Sequence, residues 1–152
     1  AMTGWRIGYA AGPAKVIGAM KNVQSQSTSN PASISQVAAE AALDGDQDVL
    51  KPMVAAFKER HDYVVAALNE IEGVSCSAAD GAFYAFANVE GAIAKMGLKN
   101  DLEFSEVLLN TVGVAVVPGS AFGLDGHMRI SYATSPKVLE DAIARIKKAI
   151  MG

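Results

Sequence analysis

The chain has 152 residues, 51% of them hydrophobic and 19% charged, with a formal net charge of −3. This composition can bury a core and excludes a disordered chain. The acidic balance, with Lys147-Lys148 as the only adjacent basic pair, excludes a general nucleic-acid binder.

In chain order, "WRIGYAAG" alternates, which predicts a strand with Trp5, Ile7 and Tyr9 on one face and Arg6, Gly8 and Ala10 on the other. Pro13 opens a predicted helix over about 13–24, and "SQSTSN" follows as a polar loop. Asn30 is the expected cap and Pro31 the first residue of a second helix, "PASISQVAAEAAL", which "DGD" ends.

The longest predicted helix covers about 46–72. Val49, Met53, Phe57, Val64, Leu68 and Ile71 form its apolar stripe, and His61 falls on the charged, solvated side. "GVSCS" and "GAFYAFANV" read as two short strands around the turn "AADG". A helix over about 101–112 stops at Gly113. "VAVVPGS" and "MRISYAT" are two more strands, joined by the loop "GSAFGLDGH". Ser135 caps the last helix with Pro136 at its first position; Leu139, Ala142, Ile143, Ile146 and Ile150 line its buried face.

The composition shifts near "LDGDQD". Residues 46–152 hold helices and about four short strands, enough for an α+β domain with helices packed on one face of a sheet. Residues 1–45, with one strand and two helices, do not make a complete fold, because a lone strand has nothing to pair with. The lone Cys76 allows no intrachain disulfide and reads as a packed thiol in a reducing compartment, the cytoplasm. No apolar run approaches the roughly 20 residues of a membrane span. No metal-ligand spacing appears either, the two histidines and one cysteine being far apart.

Two arginines stand out. Arg6 and Arg129 both occupy predicted strands beside small residues, Gly8 and Ala10 for the first, Ser131 and Ala133 for the second. Small neighbours leave room above a guanidinium, whose fork binds carboxylate or phosphate through two parallel bonds. Two such arginines suggest two anionic groups. The other reading pairs each with an Asp or Glu of the same chain, and spacing alone leaves both open with a slight lean to the ion pairs. The glycine-rich "VVPGSAFGLDG" is a turn between strands or a backbone cradle for a ligand, and it lacks the Gly-Lys-Ser/Thr of a nucleotide loop.

"MTGWRIGYAAGP", "TSNPASISQ", "GAFYAF", "EFSEVLLNTVGVAVVPGSAFG" and "HMRISYAT" together resemble, in order, the later blocks of fold-type I, pyridoxal-phosphate-dependent aminotransferases of classes I and II. They are most similar to the bacterial aspartate-aminotransferase-like branch, and the resemblance runs over the whole chain. It implies that residues 1–45 are the tail of a large cofactor domain and that 46–152 are the small C-terminal domain. It further implies that Arg6, with its companion Gly4, binds the phosphate of pyridoxal 5'-phosphate, and that Arg129 grips the substrate α-carboxylate. Phe83 matches an aromatic bordering the substrate pocket. Ser29 and Asn30 match a loop near the active site and dimer interface, so a homodimer is expected. The family's Schiff-base lysine is expected about three residues before Ala1, so no catalytic residue is assigned within the chain, and the 152 residues alone are expected to be inactive. The substrates implied are an amino acid, aspartate-like or aromatic, and a 2-oxo acid. Alternatives are a pyridoxal-phosphate C–S lyase parent, or a non-catalytic binding or oligomerisation module.

Overall fold

A computed structural model describes residues 2–152. Two units separate, the first running to Lys51 and the second from Pro52 to Gly152.

In the first unit a 3-10 turn, Thr3–Trp5, leads into Arg6, whose φ of 51° is left-handed, and residues 7–13 run on without regular structure. The strand expected from the alternation of "WRIGYAAG" is therefore not formed. The rest of the unit is helical, so the backbone groups of such a strand would have no ladder to join. Helix α1 (Ala14–Ser27) runs three residues past its predicted end, and there the hydroxyls of Ser25 and Ser27 donate to the carbonyls of Asn22 and Gln24. Helix α2 (Ser33–Asp44) starts later than expected. Asn30 is committed to the turn after α1, its N–H bonding Thr28 O at 2.9 Å, so Ala32 and not Asn30 takes the N-cap position. Ser35 is the buried side chain of this helix, its hydroxyl donating to Trp5 O at 2.8 Å. Apolar side chains such as Tyr9, Val23, Ile34 and Val37 stay exposed.

The second unit is built on a four-stranded antiparallel sheet of β1 (Ser75–Cys76), β2 (Tyr84–Asn88), β3 (Val117–Pro118) and β4 (His127–Ser131), in the order β1-β2-β4-β3. Helix α3 (Leu50–Asn69) is shorter than the expected 46–72: Val64 and Leu68 of the stripe are fully buried, Ile71 is buried just past the helix end, and Val49 precedes the helix and stays exposed. Helix α4 (Glu90–Lys95) was not expected, as six residues are too few for the stripe to show. Helix α5 (Asp101–Val107) is capped by Asn100 and widens into a π turn, Leu108–Val112, before Gly113 ends it at φ 68°. Helix α6 (Pro136–Met151) begins as read, Ser135 Oγ accepting the Val138 N–H.

Alternation along the strands divides the sheet into two faces. Ala85, Ala87 and Met128 join one buried cluster with Val64 and Leu68 of α3, Phe104 of α5 and Leu139, Ile143 and Ile146 of α6. Small alanines on β2 let these helices lie close to the sheet. The opposite face, on which Tyr84, Phe86, His127 and Arg129 stand, is only half-buried.

Candidate functional site

The half-buried face of the sheet carries the first candidate site. Register pairs Phe86 with Arg129 and Tyr84 with Ser131 across β2 and β4. The Arg129 guanidinium carbon lies 4.4 Å from the Tyr84 ring centre and 4.2 Å from that of Phe122. Phe122 meets Phe86 edge-on at 6.2 Å, and Phe86 stacks on His127 at 5.2 Å. Among the described residues no carboxylate lies within ion-pair reach of Arg129. A guanidinium that lies over two rings and has no carboxylate partner keeps N–H donors for another group, and low polarity around it strengthens any charge-assisted bond it forms.

Of the small neighbours that sequence reasoning put beside Arg129, Ser131 is on its strand and Ala133 lies past the strand's end, but the side chains that touch it are large. Tyr84 and Phe122, the two rings against Arg129, were not singled out for this role. One signal was available: in "FYAFAN" the aromatics Tyr84 and Phe86 alternate with Ala85 and Ala87, a pattern that gives a sheet one bulky and one thin face. Phe122 had no such signal, because a loop brings it in.

Phe83 is half-buried and packs against the core, its ring 6.2 Å from that of Phe57; the aromatic on the arginine is its neighbour, Tyr84. The Phe83 carbonyl accepts the Tyr132 N–H at 2.9 Å, and the Tyr132 hydroxyl bonds Ala82 O at 3.2 Å. Beside this turn lies a cavity of about 530 Å³ lined in part by His61, Asp80 and Tyr132. His61 is not the solvated residue expected. Its side chain is 13% exposed; Nε2 accepts the Ala79 N–H at 3.0 Å and Nδ1 faces Asp62 Oδ1 at 2.9 Å, an arrangement that puts the ring proton on Nδ1. Hydrogen bonds from Lys58 and His61 hold the Asp62 carboxyl below its ordinary value.

Arg6 lies in the first unit. It is exposed, and its Nη1 donates to Thr3 O at 2.9 Å. No carboxylate pairs with it among the described residues, so its other donors are available to an anion. Gly4 beside it has open space where a side chain would stand. Ser29, at φ 64°, and Asn30 close the turn after α1; both are exposed, and neither hydrogen-bonds Arg6. An exposed arginine with unused donors next to an open glycine fits a phosphate group. Among the described residues no cluster of His, Cys, Asp and Glu fits a metal ion. No helix among them is long and apolar enough to cross a membrane.

A family model described as "Aminotransferase class I and II" matches residues 1–146. An aspartate/prephenate aminotransferase of Nitrosomonas europaea is 53% identical over 96% of the chain. The crystal structure of the aspartate aminotransferase of Rhizobium meliloti is similar at 49% identity, with a TM-score of 0.81 over 99% of the chain and 39% of its own. That of an aromatic aminotransferase of Pyrococcus horikoshii is similar at 37% identity, with a TM-score of 0.79 over 99% of the chain and 40% of its own. The chain spans 38% of the length of the Nitrosomonas relative.

Proposed function

Because the chain belongs to the class I and II aminotransferases, we propose that the protein carrying it transfers an amino group between an amino acid and a 2-oxo acid with pyridoxal 5'-phosphate. The observation that carries this reading is Arg129, half-buried against two rings with no acidic partner among the described residues. Its fork holds the substrate α-carboxylate through two parallel bonds, and the rings fix the plane in which they form. Arg6 neutralises the cofactor phosphate, with Gly4 leaving the approach open. Tyr84, which lies against Arg129, borders the substrate pocket in place of Phe83, whose ring packs toward Phe57 and the core. When bound, pyridoxal phosphate supplies the electron sink that amino transfer requires. None of the chain's lysines lies in the segment of Gly4 and Arg6, so these residues bind and orient but move no proton.

The names of similar proteins support an aspartate-like or aromatic amino acid. The exposed Ser29–Asn30 turn and the exposed apolar side chains of the first unit support a homodimer in which that turn approaches the partner's site. The single buried thiol, Cys76, suits the cytoplasm.

The test is an amino-transfer assay, from aspartate to 2-oxoglutarate, of the full-length polypeptide containing these residues. Wild type is expected to be active, and Arg129→Ala to lose about 100-fold in kcat/KM, as for a charged partner removed from a bidentate pair. Arg6→Ala is expected to release cofactor on dialysis. The 152-residue polypeptide with added cofactor is expected to transfer no amino group. An inactive full-length wild type, or an Arg129→Ala variant as active as its parent, overturns the reading.

A further inference from the structure

Asp101 is the one charged side chain in the buried set of the described residues, 2% exposed at the start of α5. Its Oδ2 accepts the Ser120 N–H at 2.7 Å, and the Ser120 hydroxyl and the backbone N–H groups of Asp101 and Gly126 lie close enough to favour its charged form. No cation lies within ion-pair reach of it among the described residues. A buried carboxylate is costly unless several donors face it. Here Ser120 and Gly126 supply them, both from the stretch between β3 and β4.

That stretch forms a 3-10 turn, Gly119–Phe122, and then passes through Gly123 and Gly126, both left-handed. It has little room to shift. A Cβ on Gly119 would run into Leu124 O and His127, and one on Gly126 into the Glu90 side chain. Phe122, two residues after Ser120, is the loop's contribution to the cradle around Arg129.

We propose that Asp101 is a positioning residue for Arg129: by gripping Ser120 and Gly126 it fixes Phe122 against the guanidinium, and so sets the plane in which Arg129 offers its donors. The value of that plane to catalysis rests on Arg129 being the carboxylate anchor. Burial pushes the Asp101 carboxyl up, but the donors of Ser120 and Gly126 outweigh it and hold it below its ordinary value. A depressed folded value means the grip is complete above the ordinary carboxylate range and is lost as pH falls through the folded value. Glu90 of α4 stands against Gly126, Asp125, His127 and Arg129 lie in or next to the loop, and the other charged residues of the neighbouring α4 and α5 are Lys95, Glu103 and Glu106.

The experiment follows the Arg129 Nε–Hε resonance of the 152-residue chain by NMR, because ring currents from Phe122 shift it. Asp101→Asn is expected to move this resonance toward that of a free arginine and to weaken the Phe122–Arg129 cross-peak, while α6 amides stay in place. In a Phe122→Ala background the same substitution is expected to move nothing further, which a general loss of structure would not reproduce. Should Asp101→Asn not fold, acid titration of the unaltered chain decides. The Ser120 amide and Arg129 Nε–Hε are then expected to shift with one midpoint, unchanged by Glu90→Gln. A resonance unmoved in Asp101→Asn, a shift that persists without Phe122, or separate midpoints overturns the proposal. Succinate is the ligand probe, with about 10-fold weaker binding expected in both single variants. Absence of succinate binding to a chain with its ring shifts intact sinks the carboxylate reading, a result separable from the positioning one.

Discussion

An arginine held against two rings with no acidic partner behaves differently from one in a surface ion pair. Long side chains in exposed pairs lose rotamer freedom for little return, whereas Arg129 is already ordered by Tyr84 and Phe122 before any anion arrives. Tyr84→Phe keeps the ring and is expected to leave succinate affinity unchanged. Tyr84→Ala is expected to weaken it by about 1 kcal/mol, the worth of one cation–π contact at a partly shielded site, measured by titration calorimetry. Equal binding by both variants would show that the ring does not order the fork. The arginine itself was legible in the sequence, because a cation on a strand beside Ser131 and Ala133 breaks the expected composition. Its rings were not, since strand register and the path of the 119–126 loop decide them. Asp101 was hidden for a similar reason: an acidic residue in a helix's first turn is an ordinary sight until its carboxylate proves buried.

At the level of elements, the turn after α3 and the start of α4 meet backbone to backbone. A Cβ on Gly91 would stand 2.7 Å from Gly73 Cα, and one on Gly73 would stand 2.5 Å from Ala92 N, while the Ala92 N–H bonds Gly73 O at 2.9 Å. Gly91→Ala is therefore expected to destabilise the chain by about 2 kcal/mol, an overpacking cost, lowering the Tm read by circular dichroism by about 5 °C. An unchanged Tm would mean the two segments part easily. Long amphipathic helices such as α3 and α6, and the cap at Ser135, were legible because their signals are local. Alternation at Trp5–Tyr9 misled because a period of two describes a strand only where another strand is there to receive it.

Across the whole molecule, apolar burial is uneven. The buried hydrophobic cluster begins at Val64, while Trp5, Val16, Met20, Val23, Ile34, Val37 and Leu43 of the first unit remain exposed. Sedimentation is expected to show concentration-dependent association of the 152-residue chain that disappears in a 52–152 truncation, which should keep its cooperative melt. A monomer at all concentrations with the first unit protected from proteolysis would refute this. The chain's one tryptophan, Trp5, belongs to the first unit, its carbonyl held by Ser35. Of the four tyrosines, Tyr9 belongs to the first unit and Tyr63, Tyr84 and Tyr132 to the second, so the indole is the chromophore confined to one unit. Emission excited in the indole reports on the segment around Arg6, whereas three of the four tyrosines report on the unit that holds Arg129. One unlabelled sample thus yields an indole melting record that belongs to the first unit alone, beside a tyrosine record weighted toward the second, with no probe attached.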